Sequence, residues 1–197
     1  MTTTRFLAAR CALLTAPVLA AACSSAEAPV PSATPSTTTT SVSAAPDGDQ
    51  RAVDAAVALV AVYWETVDQL YTDPGLSIDG LYTVAVDPEA TSEAGTLQAF
   101  RMSGYTQTGQ SRVVSTTTGA VDLDATGEAG DLPTVLVTAC IDVTQVGATD
   151  ANGASVVAPN QAPYLVADMT IVNIAYPDPS AWRVSSAPNT QAQACPG

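Results

Sequence analysis

The chain changes its hydrophobic period about halfway along, from a helical repeat to the alternation typical of strands. In the first part, apolar side chains recur every three or four positions, which places them on one face of a helix. These positions are Val53, Val57, Val60, Trp64, Val67 and Tyr71. We expect Asp49 to cap this first helix and Asp73-Pro74-Gly75 to end it, because proline lacks the backbone donor that a helix needs.

Two shorter helices are predicted before the pattern changes. Residues 76–86 form the first, and its inward side chains are expected to be Ile78, Leu81 and Tyr82. Asp87-Pro88 is expected to start the next helix, since proline is favoured in a first turn, and Gly104 to stop it. The apolar positions of this third helix are Leu97 and Phe100.

The second part of the chain alternates apolar and polar side chains, which predicts half-buried strands. The alternation is clearest in residues 133–146, where one face carries Val135, Val137, Ala139, Ile141 and Val143. The other strands are predicted at residues 111–124, 164–176 and 182–187, and the residues from Pro188 onward are predicted to form a tail. The fold class is therefore α+β, with three N-terminal helices packed on a four-stranded antiparallel sheet.

Residues 1–22 have the pattern of a secretory signal peptide. Arg5 and Arg10 carry the only charges, and residues 11–22 are apolar except for Thr15 and Pro17. This apolar run is shorter than the roughly 20 residues that a membrane-spanning helix needs. We therefore expect export of the chain.

The end of the apolar run, Ala20-Ala21-Ala22-Cys23-Ser24-Ser25, resembles the lipobox of bacterial lipoproteins. The resemblance implies acylation of Cys23, which would anchor the protein to the outer face of the cell membrane. The large aliphatic residue of the motif lies one position early, at Leu19. Ordinary signal cleavage at the same bond is the alternative, because Ala20 and Ala22 also satisfy the small-residue rule.

Residues 23–49 consist almost entirely of Ala, Ser, Thr, Pro and Val. Such a segment buries too little apolar surface to offset the entropy lost on ordering, so we expect a lipidated, disordered tether. The folded domain is then predicted to span residues 50–197.

The charge balance excludes several partners. The formal net charge is −13, with no histidine and no lysine among the 197 residues. This surface repels nucleic-acid phosphates, and it also disfavours electrostatic docking on anionic lipid. The acylated Cys23 is therefore the expected contact with the bilayer.

Two cysteines, Cys140 and Cys195, fall in the predicted domain. An even pair in an exported protein predicts a disulfide bond. A cysteine nucleophile would need a histidine or another cation to lower its pKa, and the chain has no histidine. The disulfide is the favoured interpretation.

The folded region resembles actinobacterial lipoproteins, also found in phages of these hosts, of the nuclear transport factor 2-like (SnoaL-like) superfamily. The segments that carry the resemblance are residues 63–70, 73–74, 81–85, 104–109, 139–143 and 182–184, together with Cys195. The resemblance implies a cone, in which a curved sheet wraps a long helix and leaves a pocket at the open end. It predicts pocket positions at Tyr63, Trp64, Tyr82, Phe100 and Asp168.

Some members of this superfamily are isomerases or hydrolases that use an aspartate base. The resemblance therefore implies Asp142 or Asp168 as a base, with Tyr63 or Tyr82 as a donor. Strand alternation puts Asp142 on the face opposite the apolar one, and it leaves the side of Asp168 open. For the aromatic residues Tyr63, Trp64, Phe100 and Trp182, a place in the core is favoured over a role as a ligand platform.

One motif suggests calcium. Asp122-x-Asp124-x-Thr126-Gly127 matches the opening of a calcium loop, but Pro133 stands where the motif needs a glutamate. An acidic turn between strands explains these residues, so we predict no metal and no cofactor.

Three functions remain open. The first is a non-enzymatic envelope lipoprotein that binds another envelope protein or a small apolar ligand. The second is a prophage-encoded lipoprotein that excludes incoming phage, which the resemblance alone motivates. The third is a small isomerase or hydrolase with an aspartate in the pocket.

Overall fold

The computed structural model describes residues 47–125 and 131–196. The predicted signal peptide, Cys23, most of the tether, and Thr126-Gly127 of the calcium-type motif lie outside these residues. Within the two described ranges, no helix combines the length and the apolar character needed to cross a bilayer.

The first helix, α1, spans Gly48–Thr72. Its N-cap is Asp47 and not Asp49, because a carboxylate oxygen of Asp47 accepts a hydrogen bond from the Gln50 N–H at 2.8 Å. Its buried face is rotated from the predicted one and consists of Ala52, Ala56, Val60, Tyr63, Val67 and Leu70. The small alanines let the helix approach the sheet closely, which leaves the larger Val53, Val57 and Trp64 partly buried at the flanks.

The second α-helix, α2, spans Glu89–Met102 and is fastened to the end of α1 by Arg101. The Arg101 guanidinium donates to the carbonyl oxygens of Leu70 at 2.7 Å and Asp73 at 3.2 Å. These carbonyls belong to the last turn and cap of α1, where backbone acceptors lack helical partners. The contact fixes where α2 crosses α1, and it therefore positions the side chains of α2.

The segment between the two helices is a 3₁₀ helix, Ile78–Thr83, where the sequence predicted a longer helix over residues 76–86. A 3₁₀ helix has three residues per turn, so Ile78 and Leu81 share a face. Leu81 is fully buried, whereas Tyr82 is 48% exposed. The prediction that Tyr82 points inward is therefore wrong.

Seven strands follow in the described part of the chain, and their order after the helices confirms the α+β class. The strands are β1 Thr106–Thr108, β2 Arg112–Asp122, β3 Thr134–Asp142, β4 Gly147–Thr149, β5 Tyr164–Asn173, β6 Trp182–Ser186 and β7 Asn189–Ala192. The main antiparallel sheet has the order β2-β3-β5-β6, and β7 also pairs with β5. Strands β1 and β4 form a separate antiparallel pair. The four predicted strands are thus present, and three short ones were not predicted.

The residues after Pro188 are a strand and not the predicted tail. Strand β6 pairs with residues 170–173 of β5, and β7 pairs with residues 164–167 of the same strand. The chain therefore runs along one edge of β5 almost without a break.

The predicted disulfide is present between Cys140 and Cys195. The S–S distance is 2.05 Å and the Cα–Cα distance is 5.6 Å. On β3, Val135, Val137 and Ile141 face the core, while Cys140 lies on the other face and is covered by its partner. The bridge therefore holds the end of the chain against the outer face of the sheet.

Candidate functional site

A cavity of about 300 Å³ is bounded by α1, α2 and the concave edge of the sheets. Its wall is part aromatic and part acidic. The aromatic side chains are Tyr63, Trp64 and Tyr71, and the acidic ones are Asp68, Glu89 and Glu93. Among the described residues that line the cavity, none carries a positive charge. The potential inside is therefore negative.

Glu89 joins three elements at one side of the cavity. One carboxylate oxygen accepts a hydrogen bond from the Tyr63 hydroxyl of α1 at 2.6 Å. The other accepts from the Ala187 backbone N–H, between β6 and β7, at 2.9 Å. Burial, and then the hydrogen bond to Glu89, raise the pKa of the Tyr63 hydroxyl far above its ordinary value. Tyr63 therefore stays neutral and acts as a donor.

Glu93 lies one helical turn beyond Glu89 on the same face of α2, since residues four apart are neighbours on a helix. Burial raises the pKa of Glu93, the Tyr71 hydroxyl that hydrogen-bonds to it lowers the pKa, and the charge of Glu89 raises it further. The net pKa shift is upward. Glu93 has fewer protein donors than Glu89, so its carboxyl is the more available of the two to a ligand.

Asp68 supports the part of the cavity wall that α1 forms. It is buried, and its carboxylate accepts hydrogen bonds at 2.7 Å each from the Gln107 side-chain amide, the Ser111 N–H and the Ser111 hydroxyl. A buried carboxylate is tolerated when its oxygens have such donors. This network ties α1 to β1 and to the start of β2, and it holds the wall of the cavity in place.

Trp64 supplies an unused donor. Its indole N–H is buried and has no hydrogen-bond partner among the described residues, and its ring borders the cavity. A buried polar group without a partner is uncommon in folded proteins. The ring also packs edge-on against Tyr63, with centroids 5.7 Å apart.

Of the pocket positions predicted from the sequence, the structure brings only Tyr63 and Trp64 to this cavity. Tyr82 is exposed on the 3₁₀ helix. Phe100 packs edge-on between the rings of Tyr71 and Tyr105 and supports the wall from behind.

The prediction that Asp168 lines the pocket is wrong. Its neighbours on β5, Ala167 and Met169, point into the core, so Asp168 points to the outer face of the sheet. There it is exposed and accepts a hydrogen bond from the Thr138 hydroxyl at 2.8 Å. It lies away from the cavity and cannot serve it as a base.

Asp142 is also on the outer face, as strand alternation predicted. It forms an ion pair with Arg112 at 3.2 Å. Hydrogen bonds from the Thr144 hydroxyl and N–H, and then the contact with Arg112, hold the pKa of Asp142 below its ordinary value. A carboxylate with a lowered pKa is a poor base at neutral pH.

Four residues of the cavity wall were not predicted from the sequence: Asp68, Tyr71, Glu89 and Glu93. Two signals were available in the sequence. Asp68 interrupts the apolar side of α1 directly after Val67, and two glutamates four residues apart share a face of α2. In the described residues, no group of three or more acidic, histidine or cysteine side chains is arranged to hold a metal ion. The arrangement suits the binding of an organic cation or the transfer of a proton.

No family model matches the chain, and no curated protein sequence matches it. Among solved structures, the chain is similar to the crystal structure of the intermembrane space region of the chloroplast protein ARC6, with 13% identity and a TM-score of 0.46. The similarity covers 71% of this chain and 96% of that one.

Proposed function

We propose that this domain is a binding module for a small molecule that combines a positively charged amine with an apolar body. The observation that supports this is the cavity wall, in which Glu89 and Glu93 lie beside three aromatic rings. Carboxylates attract an ammonium group, and aromatic faces bind cations and cover apolar groups.

The electrostatics favour such a ligand. The charge of Glu89 raises the pKa of Glu93, as does burial. A bound cation between or beside the two carboxylates would offset both effects, because an opposite charge favours the ionised form of an acid. Binding of the cation is therefore coupled to loss of a proton from Glu93, and it should be tighter at pH 8 than at pH 5.

The ligand class is tested with benzylamine as the probe and benzyl alcohol as its neutral control. We expect benzylamine to raise the Tm and to change the fluorescence of Trp64, with benzyl alcohol having a much smaller effect. Glu93→Gln should weaken benzylamine binding about tenfold or more, the size expected for a lost charge-assisted contact. Glu65→Gln, an exposed acid on α1, is the matched control. Equal effects of the amine and the alcohol would contradict the proposal.

We further propose that the domain is held at the outer face of the cell membrane through acylated Cys23, and that it is a cone of the nuclear transport factor 2-like class. The α+β order and the cavity beside the long helix support the second point. For the first, Cys23→Ala should release the protein from membranes into the soluble fraction. Retention of the Cys23→Ala protein after a high-salt wash would rule out the lipid anchor.

A second function is favoured by one observation, the raised pKa of Glu93 beside the Tyr71 hydroxyl in a cavity. A carboxyl with a raised pKa is the form of general acid or base that proton-transfer enzymes use. It replaces the aspartate base expected from the sequence, since Asp168 is exposed. Turnover of a carbonyl or epoxide probe that is lost in Glu93→Gln, with benzylamine acting as a competitive inhibitor, would support catalysis over binding alone.

A further inference from the structure

Strand β2 is an open edge of the main sheet. Among the described residues it pairs with β3 alone, so its other side offers unpaired backbone groups over 11 residues. Most of its side chains are exposed, and only Val113, Thr116 and Val121 are partly buried. A long edge with neither lysine nor proline is unusual, because natural sheets protect such edges from pairing.

The sequence of β2 is self-complementary about its central residue. When a second copy is aligned antiparallel with Thr117 opposite Thr117, Arg112 of one copy stands opposite Asp122 of the other. The same alignment places Val113 opposite Val121 and Thr116 opposite Thr118. Directly opposed residues share a face of the sheet, and opposite charges or apolar pairs there stabilise the pairing.

The two irregularities in β2 agree with this alignment. The register with β3 shifts between Val113 and Ser115 and again between Thr118 and Val121. The first irregularity is therefore at Val114, and the second at Gly119-Ala120. Because Val114 and Ala120 are equally distant from Thr117, the irregularities of two copies would face each other. Bulges that disrupt pairing with an unrelated strand are thus matched in a second copy of this chain.

The side-chain directions also agree. Arg112 and Asp122 pair with Asp142 and Thr134 of β3, both on the outer face of the sheet. They therefore project on the same side, as opposed residues must. Arg112 is 75% exposed while it contacts Asp142, so its remaining donors are free to reach the second copy.

We propose that two copies of this chain associate through β2, in antiparallel register about Thr117, to form one continuous sheet with twofold symmetry. Each end of the interface then carries an ion pair between Arg112 of one copy and Asp122 of the other. Closed twofold pairing uses the same surface on both copies, so it removes the open edge and stops at the dimer. The interface lies on the sheet edge and is independent of the cavity.

The test is disulfide trapping in the full-length chain. In the proposed register the two copies of residue 117 face each other with Cα atoms about 4.5–5.5 Å apart, within reach of a disulfide bond. Thr117→Cys should therefore shift to twice its mass on a non-reducing gel after mild oxidation with diamide. Ala120→Cys is the control. It lies on the same strand and is exposed, but its two copies would be separated by six residue spacings, roughly 20 Å.

A second pair of variants tests the register. In the Thr117→Cys background, Asp122→Arg places an arginine opposite Arg112 at both ends, and we expect the cross-linked product to fall to the level of Ala120→Cys. Asp124→Arg makes the same charge change two residues away and should leave the product unchanged. Formation of the Cys140–Cys195 bond in each variant reports that it has folded. A Thr117→Cys protein that stays monomeric, or that cross-links no better than Ala120→Cys, would overturn the proposal.

Discussion

Removing the Glu89 carboxylate should destabilise the protein. In Glu89→Ala the Tyr63 hydroxyl and the Ala187 N–H both lose their acceptor. Tyr63 is 2% exposed and Ala187 is 6% exposed, so water reaches neither group easily. Each buried donor left without a partner costs about 1–3 kcal/mol.

One effect works in the opposite direction. Glu89 raises the pKa of Glu93 through its charge, so its removal relieves that repulsion. Water entering the enlarged cavity would also satisfy part of the lost bonding. We therefore expect a net loss of about 2–4 kcal/mol in the free energy of unfolding. This is a large share of the roughly 5–15 kcal/mol that stabilises a typical domain.

The measurement is urea-induced unfolding of the wild type, Glu89→Ala and Glu65→Ala under non-reducing conditions. Glu65 is an exposed acid on α1, so its replacement should change the free energy by less than about 0.5 kcal/mol. Tyr63→Phe should destabilise the wild type but cost much less in the Glu89→Ala background, where the hydroxyl is already unpaired. A loss below about 1 kcal/mol for Glu89→Ala, or additive effects of the two changes, would refute the argument.

Three further predictions follow from the described contacts. Replacing both Cys140 and Cys195 by serine should cost about 4 kcal/mol in urea unfolding, because their bridge closes a 55-residue separation; an unchanged midpoint would contradict this. Gly109→Ala should cost about 1–3 kcal/mol more than Gly153→Ala in the same assay. Both glycines have positive φ, but an added Cβ at Gly109 would overlap the backbone carbonyl oxygen of Gln145, whereas nothing lies within 4 Å at Gly153. Equal losses would refute the steric argument. Glu93→Gln should remove a pH dependence of the Tm. The folded-state pKa of Glu93 is raised, so in the wild type its contribution to stability declines as the pH rises above the ordinary value of 4.5. Parallel wild-type and variant Tm profiles above that pH would contradict this.

The strands were predictable because their pattern is local. On β3, successive residues face the core and the outer side of the sheet in turn, and no distant contact is needed to see this alternation. The disulfide was predicted from the cysteine count together with the expectation of export. Strand β7 was missed because Asn189–Ala192 has no apolar alternation, and it is a strand only because it continues along the edge of β5.

The face of α1 was misjudged for a different reason. Hydrophobic periodicity favours large apolar residues, so it selected Val53, Val57 and Trp64. The helix packs through Ala52 and Ala56, because small side chains allow a closer approach to the sheet. Strand alternation could not decide the side of Asp168, because Val166 and Val172 share its face; in the structure Ala167 and Met169 face the core instead.

The acidic wall of the cavity could not be predicted from the sequence. Glu89 contacts Ala187, which is 98 residues away in the chain. Its burial depends on where α2 crosses α1, and Arg101 fixes that crossing through the carbonyls at the end of α1. From the sequence alone, a pair of glutamates on a weakly apolar helix is expected to lie on a solvent-exposed face. Only the packing of α2 against α1 shows otherwise.

The two glutamates differ in what they do for the protein, and this difference separates stability from recognition. Both oxygens of Glu89 are engaged by protein donors, one from a side chain and one from the backbone. Glu93 is partly buried beside the Tyr71 hydroxyl, and its pKa is raised because the hydrogen bond from that hydroxyl does not compensate for burial and for the nearby charge. Loss of Glu89 should therefore weaken the fold, whereas Glu93→Gln removes an unfavourable partly buried charge and keeps an acceptor for Tyr71. A protein that retains such a charge gains from it only when something else neutralises it. In this cavity, which has no cationic side chain in its described wall, that role would fall to the proposed cationic ligand.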